Sequence, residues 1–450
     1  MSQRALVVSI ASLTVTAGAT LAGAPTYSGV LGSPGFGGSY VADFTAFDDG
    51  SGESLYAIGN FSASGVAGGA SIARWDGAGW AALGTGLQGG FSNVMAVYQG
   101  DLIAGGYFDT AGGASDSAKL ARWDGAAWSG MDAQSSSFLN SVWDLEVWDD
   151  GSTGEQLYVA GNYADLNGQA PLDHIAKWDG AAYTGVGGTI GGAVPLIVLD
   201  LHGADLGSGS LLYAGGRFLT IGGTGAFNVA SWDGNAWSAL GGGLSRTSGF
   251  AQVFHMTSWD DGNGMALYAG GSFNRADTTT PVLNVAKWDG NAWSAMGDGF
   301  DGVVQELVVW DDGSGEALYA LGNFDNSGAT PTARIAKWNG ASWEAVGSGM
   351  DGNCFGAFVF DLGDGPALHI AGGFSNAGGV SANRAASLLP ALPCPADLAA
   401  PFGALNFFDI AAFIGLFNAG DLTADFAAPF GSLNFFDVVE YITQFNAGCP

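Results

Sequence analysis

Eight aspartates arrive in adjacent pairs, Asp48-Asp49, Asp149-Asp150, Asp260-Asp261 and Asp311-Asp312, each followed by glycine and small polar residues. Five more, Asp76, Asp124, Asp179, Asp233 and Asp289, each stand between a Trp and a Gly. Carboxylates gathered on one face could bind calcium. Asp and Gly are also what tight turns require, since Asp accepts nearby backbone N–H groups and Gly tolerates positive φ, and the turn reading is preferred here. Histidine offers less. His174, His202, His255 and His369 fall in different repeats, with no metal-ligand spacing and no nucleophile motif beside them, so no catalytic residue is assigned.

These side chains ride on a repeated phrase. An apolar-Ala-(Lys/Arg/Ser)-Trp-(Asp/Asn)-Gly-x-x-(Trp/Tyr) segment recurs at Trp75, Trp123, Trp178, Trp232, Trp288 and Trp338, spaced 48 to 56 residues apart. A Gly-x-aromatic phrase ends at Phe61, Phe108, Tyr163, Phe218, Phe273, Phe324 and Phe374, which adds a seventh copy. A period near fifty residues marks a β-propeller. In the repeat at 303–347, apolar and turn segments alternate as four strands, 303–310, 317–324, 334–338 and 343–346, the makings of one antiparallel blade. The seventh repeat lacks its fourth strand, because Pro390 follows Ala385-Ala386-Ser387-Leu388 at once. Thr26-Tyr27-Ser28-Gly29-Val30 reads like the fourth strand Ala182-Tyr183-Thr184-Gly185-Val186, so the N-terminal strand is expected to complete the last blade.

Residues repeated in every blade are usually scaffold. All fifteen Trp lie in these repeats, and blade-on-blade packing is preferred over sugar stacking. Arg74, Arg122, Lys177, Lys287 and Lys337 precede the repeated Trp, a fixed spacing that suggests blade-edge salt bridges or snorkelling stems. The variable loops near 62–71, 109–118, 164–173, 219–227, 274–283, 325–333 and 375–383 share the other face, where a ligand is expected.

Composition sets the compartment. Met1 to about Ala24 has one Arg and then an apolar, small-residue run, a secretory signal peptide cleaved near 19–24. No later segment is apolar enough for a transmembrane span. Twelve Lys+Arg stand against 42 Asp+Glu, a net charge of -30 that argues against nucleic acid as a partner. Cys394 and Cys449 bracket the C-terminal segment and are expected to form a disulfide, which leaves Cys354 as a buried small apolar residue.

The repeats resemble kelch-type propellers, and the Ala-(Arg/Lys)-Trp-Asp-Gly-x-x-Trp wording with Ala-Gly-Gly-x-Phe, as at Ala214 to Phe218, is similar to extracellular propellers of fungal cell-polarity markers and bacterial surface proteins. After Pro390 a 28-residue unit is duplicated: Asp397 to Phe417 matches Asp425 to Phe445. Each copy reads as a loop and a short amphipathic helix, with Phe407, Ile410, Ile414, Phe417 and Phe435, Val438, Ile442, Phe445 facing one another. This segment resembles the tandem loop-helix pair of dockerins, in the Cys-Pro to Gly-Cys-Pro form of planctomycete-type proteins. The resemblance implies calcium at Asp397, Asn406 and Asp409 in one loop and Asp425, Asn434 and Asp437 in the other. Two ligand positions of each loop are lost, and metal-free folding stays open beside calcium binding.

The sequence therefore predicts an all-β chain: a signal peptide at 1–24, a seven-bladed β-propeller closed by its N-terminal strand at 25–392, and a small α-helical dockerin-like module at 393–450. The expected role is secreted or cell-surface binding or adhesion to an extracellular protein or glycan, tethered through a cohesin-like or envelope partner. The alternative is a secreted polysaccharide-active lyase or hydrolase with the same anchor. A cluster of His, Arg, Tyr or carboxylates at the long-loop mouth would favour the enzyme.

Overall fold

The computed structural model describes residues 25–390 apart from 34, 64–69, 132–140, 152–153, 164–172, 193–194 and 364, and of the C-terminal segment residues 407–419, 424 and 438–443. Contacts divide the chain into two units, one of them Pro25–Pro390. The proposed signal peptide, Cys394, Cys449, Asp397, Asn406, Asp425, Asn434 and Asp437 lie outside the described residues.

Among the described residues Pro25–Pro390 forms seven four-stranded antiparallel sheets in sequence order, with five smaller two- and three-stranded sheets beside them. The sixth shows the pattern: Val303–Asp311, Glu316–Asn323, Ile335–Trp338 and Trp343–Ala345, each strand pairing with the next. The seventh takes three strands from Cys354–Asp361, Pro366–Gly372 and Ala385–Leu389, and its fourth is Thr26–Ser28. Tyr27 lies opposite Leu388, in the same register that sets Tyr183 opposite Trp178 in the third sheet. The N-terminal strand thus covers an edge that would otherwise expose unpaired amides.

Seven hydrophobic clusters, rather than one core, hold the unit together. Each draws on two adjacent sheets: Phe47 of the first sheet packs with Met95 and Leu102 of the second, whereas Phe44 packs with Ala371 and Ala385 of the seventh. The first strand of the seventh sheet also contacts the first strand of the first sheet, so contacts between sheets run in a complete cycle.

The repeated aromatics are the ties between sheets. Trp75 and Trp80 pack edge to face with ring centroids 5.3 Å apart, and the pairs at Trp123/Trp128, Trp232/Trp237, Trp288/Trp293 and Trp338/Trp343 repeat the contact. The second aromatic then donates to a carbonyl of the preceding repeat. Trp128 Nε1 reaches Leu83 O at 3.0 Å, Trp293 Nε1 reaches Leu240 O at 2.9 Å, and Tyr183 and Tyr27 hydroxyls reach Met131 O and Val346 O at 2.9 Å each. Indole and phenol serve equally because the position asks for a flat apolar ring with one donor at its far end.

The acidic turns are turn chemistry. Asp311 Oδ1 accepts the Gly313 and Gly315 N–H groups, and Asp76 Oδ1 accepts those of Ala78 and Gly79. In the Trp-Asp-Gly hairpins only the glycine takes positive φ, +95° at Gly77 and +92° at Gly290, while the Asp is held by its own side-chain bonds. The second aspartate of each pair meets the basic residue before the Trp: Arg74–Asp49 2.8 Å, Lys177–Asp150 3.2 Å, Lys287–Asp261 2.5 Å and Lys337–Asp312 2.6 Å. Arg122 pairs with Asp101 at 3.3 Å in the second sheet. Five of the twelve basic residues are spent inside their own sheets, as the fixed spacing suggested.

The C-terminal unit contains the helix Phe407–Ala419 and a second helical turn at 438–443. Phe413 stacks on Tyr441, its counterpart 28 residues on, with centroids 3.9 Å apart and planes within 5°. Both are buried, whereas Ile414 and Ile442 are 39% and 45% exposed. The helices therefore meet one position earlier than the Phe407, Ile410, Ile414, Phe417 spacing predicts, because the larger aromatic pair occupies the contact. Cys354 is free and fully buried in the first strand of the seventh sheet.

Candidate functional site

All seven first strands carry a β-bulge at the same level. Register slips between Val41 and Asp43, Ser92 and Val94, Val142 and Asp144, Val198 and Asp200, Val253 and His255, Val304 and Glu306, and Cys354 and Gly356. Each slip leaves one residue unpaired, namely Ala42, Asn93, Trp143, Leu199, Phe254, Gln305 or Phe355. A bulge re-aims side chains, so in the first sheet the residue before the unpaired one and the residue two after it stay in the sheet cores, while the unpaired residue and its successor turn elsewhere. Val41 and Phe44 are both buried, for example, and Ala42 and Asp43 between them line a cavity.

That cavity has a volume of about 510 Å³ and takes wall residues from the first strands of all seven sheets. Its polar wall is Asp43, Asp144, Asp200, His255 and Glu306, one from each of five sheets, with Asn93 and Gln305. Tyr40, Trp143, Phe254 and Phe355 supply aromatic surface, Tyr40 meeting Phe355 edge to face at 5.3 Å. These positions lie near the end of the sheets from which the long loops leave, since Val94 and Glu306 pair with Gly105 and Leu321 late in their second strands.

The carboxylates also brace neighbouring first strands. Asp43 Oδ2 accepts the Met95 N–H at 3.2 Å, Asp144 Oδ2 accepts that of Leu201 at 2.6 Å, and Glu146 Oε1, further along the strand, accepts that of Gly203 at 2.7 Å. The Leu307 N–H donates to His255 Nδ1 at 3.3 Å in the same sense. Each bond runs from one first strand to the next. His255 Nε2 then lies 3.3 Å from Glu306 Oε1 and 3.9 Å from Asp200 Oδ1. Asp200 is only 4% exposed and its Oδ2 has no hydrogen-bond partner; the Trp143 indole N–H has none either.

Burial makes charge expensive here. It pushes Asp43 up to about 7, with Asp144 adding to the rise, and raises Asp144 itself to about 6. Asp200 and Glu306 are raised well above their ordinary range by burial and then by the facing carboxylates. Burial lowers His255 to about 3, with His202 contributing, and lowers His202 to about 4. The neutral forms of both residue types are favoured, and the cluster holds protons near neutral pH that isolated carboxylates would have lost.

The cavity is thus lined by the first strands, at the sheet end from which the variable loops leave, and its wall is built from strand residues rather than loop residues. His255 is not isolated, because the ring brings Asp200 and Glu306 to it from adjacent sheets. The loop face does expose Leu219, Phe227, Phe250 and Leu283 at 39–55%, beside Arg217 over the Phe250 ring at 5.4 Å. Of the six calcium candidates only Asp409 is described. It is fully buried in the first turn of its helix and already engaged within the chain. Three side-chain donors per loop fall short of the six to eight oxygens calcium takes, and among the described residues no group of three or more His, Cys, Asp or Glu is disposed to hold a metal. Among those residues no helix is long and apolar enough to cross a membrane.

No protein-family model and no curated protein matches the chain. Solved structures similar to the chain include two titled as the extracellular domain of the "putative one component system BT4673" and of the "putative hybrid two component system BT4673" from B. thetaiotaomicron. Each is 10% identical, and they cover 78% and 77% of this chain at TM-scores of 0.28 and 0.29. The chain spans about half the length of those structures, 51% in each case, and at such scores the likeness carries no argument.

Proposed function

We propose that this chain is an exported binding protein, a kelch-like seven-bladed β-propeller that takes its ligand in the cavity at the axis and is tethered through the dockerin-like C-terminal module. One observation carries the reading: Asp43, Asp144, Asp200, His255 and Glu306, from five different repeats, meet around one cavity of about 510 Å³. Repeated positions serve the scaffold, and this position varies, being Asp in three copies and Val, His, Glu or Gly in the other four. The cycle of contacts between seven sheets, closed by Thr26–Ser28, supports the propeller form. The mature protein is tested by glycan array and by pull-down from extracellular extracts, with Asp200→Asn in parallel. Capture that Asp200→Asn abolishes supports the reading; capture indifferent to it removes the cavity as the site.

A polysaccharide-active enzyme is the second reading, favoured specifically by His255 Nε2 standing 3.3 Å from Glu306 Oε1. A carboxyl with a raised pKa beside an imidazole is the pairing that general acid–base work uses. Turnover of any polysaccharide that falls at least 100-fold in His255→Ala would establish it, and the absence of turnover across acidic, neutral and basic polysaccharides would dismiss it.

A further inference from the structure

We infer that the axial cavity receives an organic cation, the ammonium group of a lysine side chain presented by a polypeptide, an inference that rests on the cavity being a binding site. Acceptors outnumber donors on its wall. Asp43, Asp144, Asp200 and Glu306 face it, and among the described residues no Lys or Arg lines it. The bracing bonds do not exhaust the acids: strand N–H groups are bound at Asp43 Oδ2 and Asp144 Oδ2, while the Oδ2 of Asp200, a side chain 6% exposed, has no hydrogen-bond partner. An unpartnered, buried carboxylate oxygen is a costly feature that a charged donor relieves.

The aromatic wall selects among cations. Tyr40, Trp143, Phe254 and Phe355 suit an ammonium on an alkyl stem, through ring faces that attract the charge and surface that packs the methylenes. A bare amine would leave the Trp143 indole N–H without an acceptor, and a peptide carbonyl at the foot of a lysine stem supplies one. A metal ion uses none of this apolar surface, and a neutral sugar brings no positive charge to draw the proton from these buried carboxyls, as an ammonium does. The net charge of -30 draws basic segments toward the molecule from a distance.

The probe is Nα-acetyl-lysine methylamide, titrated calorimetrically into the mature full-length protein at pH 8, against the norleucine analogue, cellobiose and calcium chloride. Binding of the lysine derivative at least 10-fold tighter than the norleucine analogue, reduced at least 10-fold in Asp200→Asn, is the expected result. Glu306→Gln, which preserves side-chain volume, is the second variant and is expected to weaken binding likewise. Cellobiose or calcium bound in an Asp200-dependent way, with the lysine derivative silent, overturns the cation while leaving the cavity a binding site. Equal binding of the lysine and norleucine derivatives overturns the role of charge. No heat from any probe, with both variants folded as wild type, overturns the inference, and capture by the array or pull-down decides separately whether the binding reading stands.

Discussion

Removing the Tyr27 hydroxyl tests whether the N-terminal strand closes the structure. Tyr27→Phe deletes the 2.9 Å bond to Val346 O, 319 residues away, and Tyr183→Phe deletes the equivalent bond from the third sheet to Met131 O of the preceding repeat. A hydrogen bond of this kind is worth about 1 kcal/mol, rising to about 2 where a buried carbonyl is left unpaired. Tyr183 is 6% exposed and Tyr27 is half-buried, so Tyr183→Phe should cost about 1.5 kcal/mol and Tyr27→Phe about 1 kcal/mol. Tyr27→Ala also removes the ring from the cluster shared by the sixth and seventh sheets, where it lies against Gly347 and Gly378. Full burial of such a ring is worth about 3–5 kcal/mol, and about 2–3 is expected at half burial. Urea midpoints followed by Trp fluorescence give the comparison, and hydrogen exchange across Ala385–Leu389 gives the local effect. If Tyr27→Ala leaves exchange in that strand at the wild-type rate while Tyr183→Phe destabilises the protein, the N-terminal strand does not close the seventh sheet and the argument fails.

Lys337→Met leaves Asp312, 4% exposed, with only the Tyr319 hydroxyl and Ser314 against its buried charge, and a loss of about 3 kcal/mol in urea denaturation is expected. Arg122→Met, whose side chain is 48% exposed, should change the midpoint by no more than about 0.5 kcal/mol, and equal losses would refute the burial argument. Glu146 is raised by burial, with Asp144 adding, to about 8, so the folded state binds its proton more tightly than the unfolded state, and the stability gained below its unfolded value is lost as pH rises through 8. His174, His202, His255 and His369 are lowered by burial and oppose this trend only below about pH 6.5. Between pH 6.5 and 8.5 the wild type should therefore lose about 2 kcal/mol more than Glu146→Gln in parallel melts, and identical slopes would show that Glu146 does not carry the effect.

The scaffold was legible because the same physical demand recurs in every sheet. A flat ring with one donor must bridge to the preceding repeat, a basic stem must meet the turn carboxylate, and a glycine must take the hairpin, so Trp128, Lys337 and Gly77 announce themselves by repetition. The cavity was illegible for the converse reason. Its level reads Asp43, Val94, Asp144, Asp200, His255, Glu306 and Gly356 along the chain, seven positions with little in common to a search for repeats. The bulge conceals them further by breaking the two-residue alternation by which strands are recognised. A signal nevertheless exists: buried apolar residues fall three apart in the first strands, at Val41, Phe44 and Phe47, at Val142, Leu145 and Trp148, and at Val304, Leu307 and Trp310. A spacing of three fits neither face of a regular strand, and the charged residue that follows the unpaired one is the residue such a strand turns out of its core. What the bulge costs in pairing it returns as a site whose composition is free to vary, since the neighbouring strand's N–H needs only an acceptor, and Asp43, Asp144 and His255 each provide one. The same constraint limits that freedom: removing the acceptor at Asp43, Asp144 or Asp200 orphans a strand amide as well as altering the cavity, which is why Asp200→Asn, which keeps one acceptor oxygen for the Met256 N–H and changes the oxygen that has no partner, separates binding from stability.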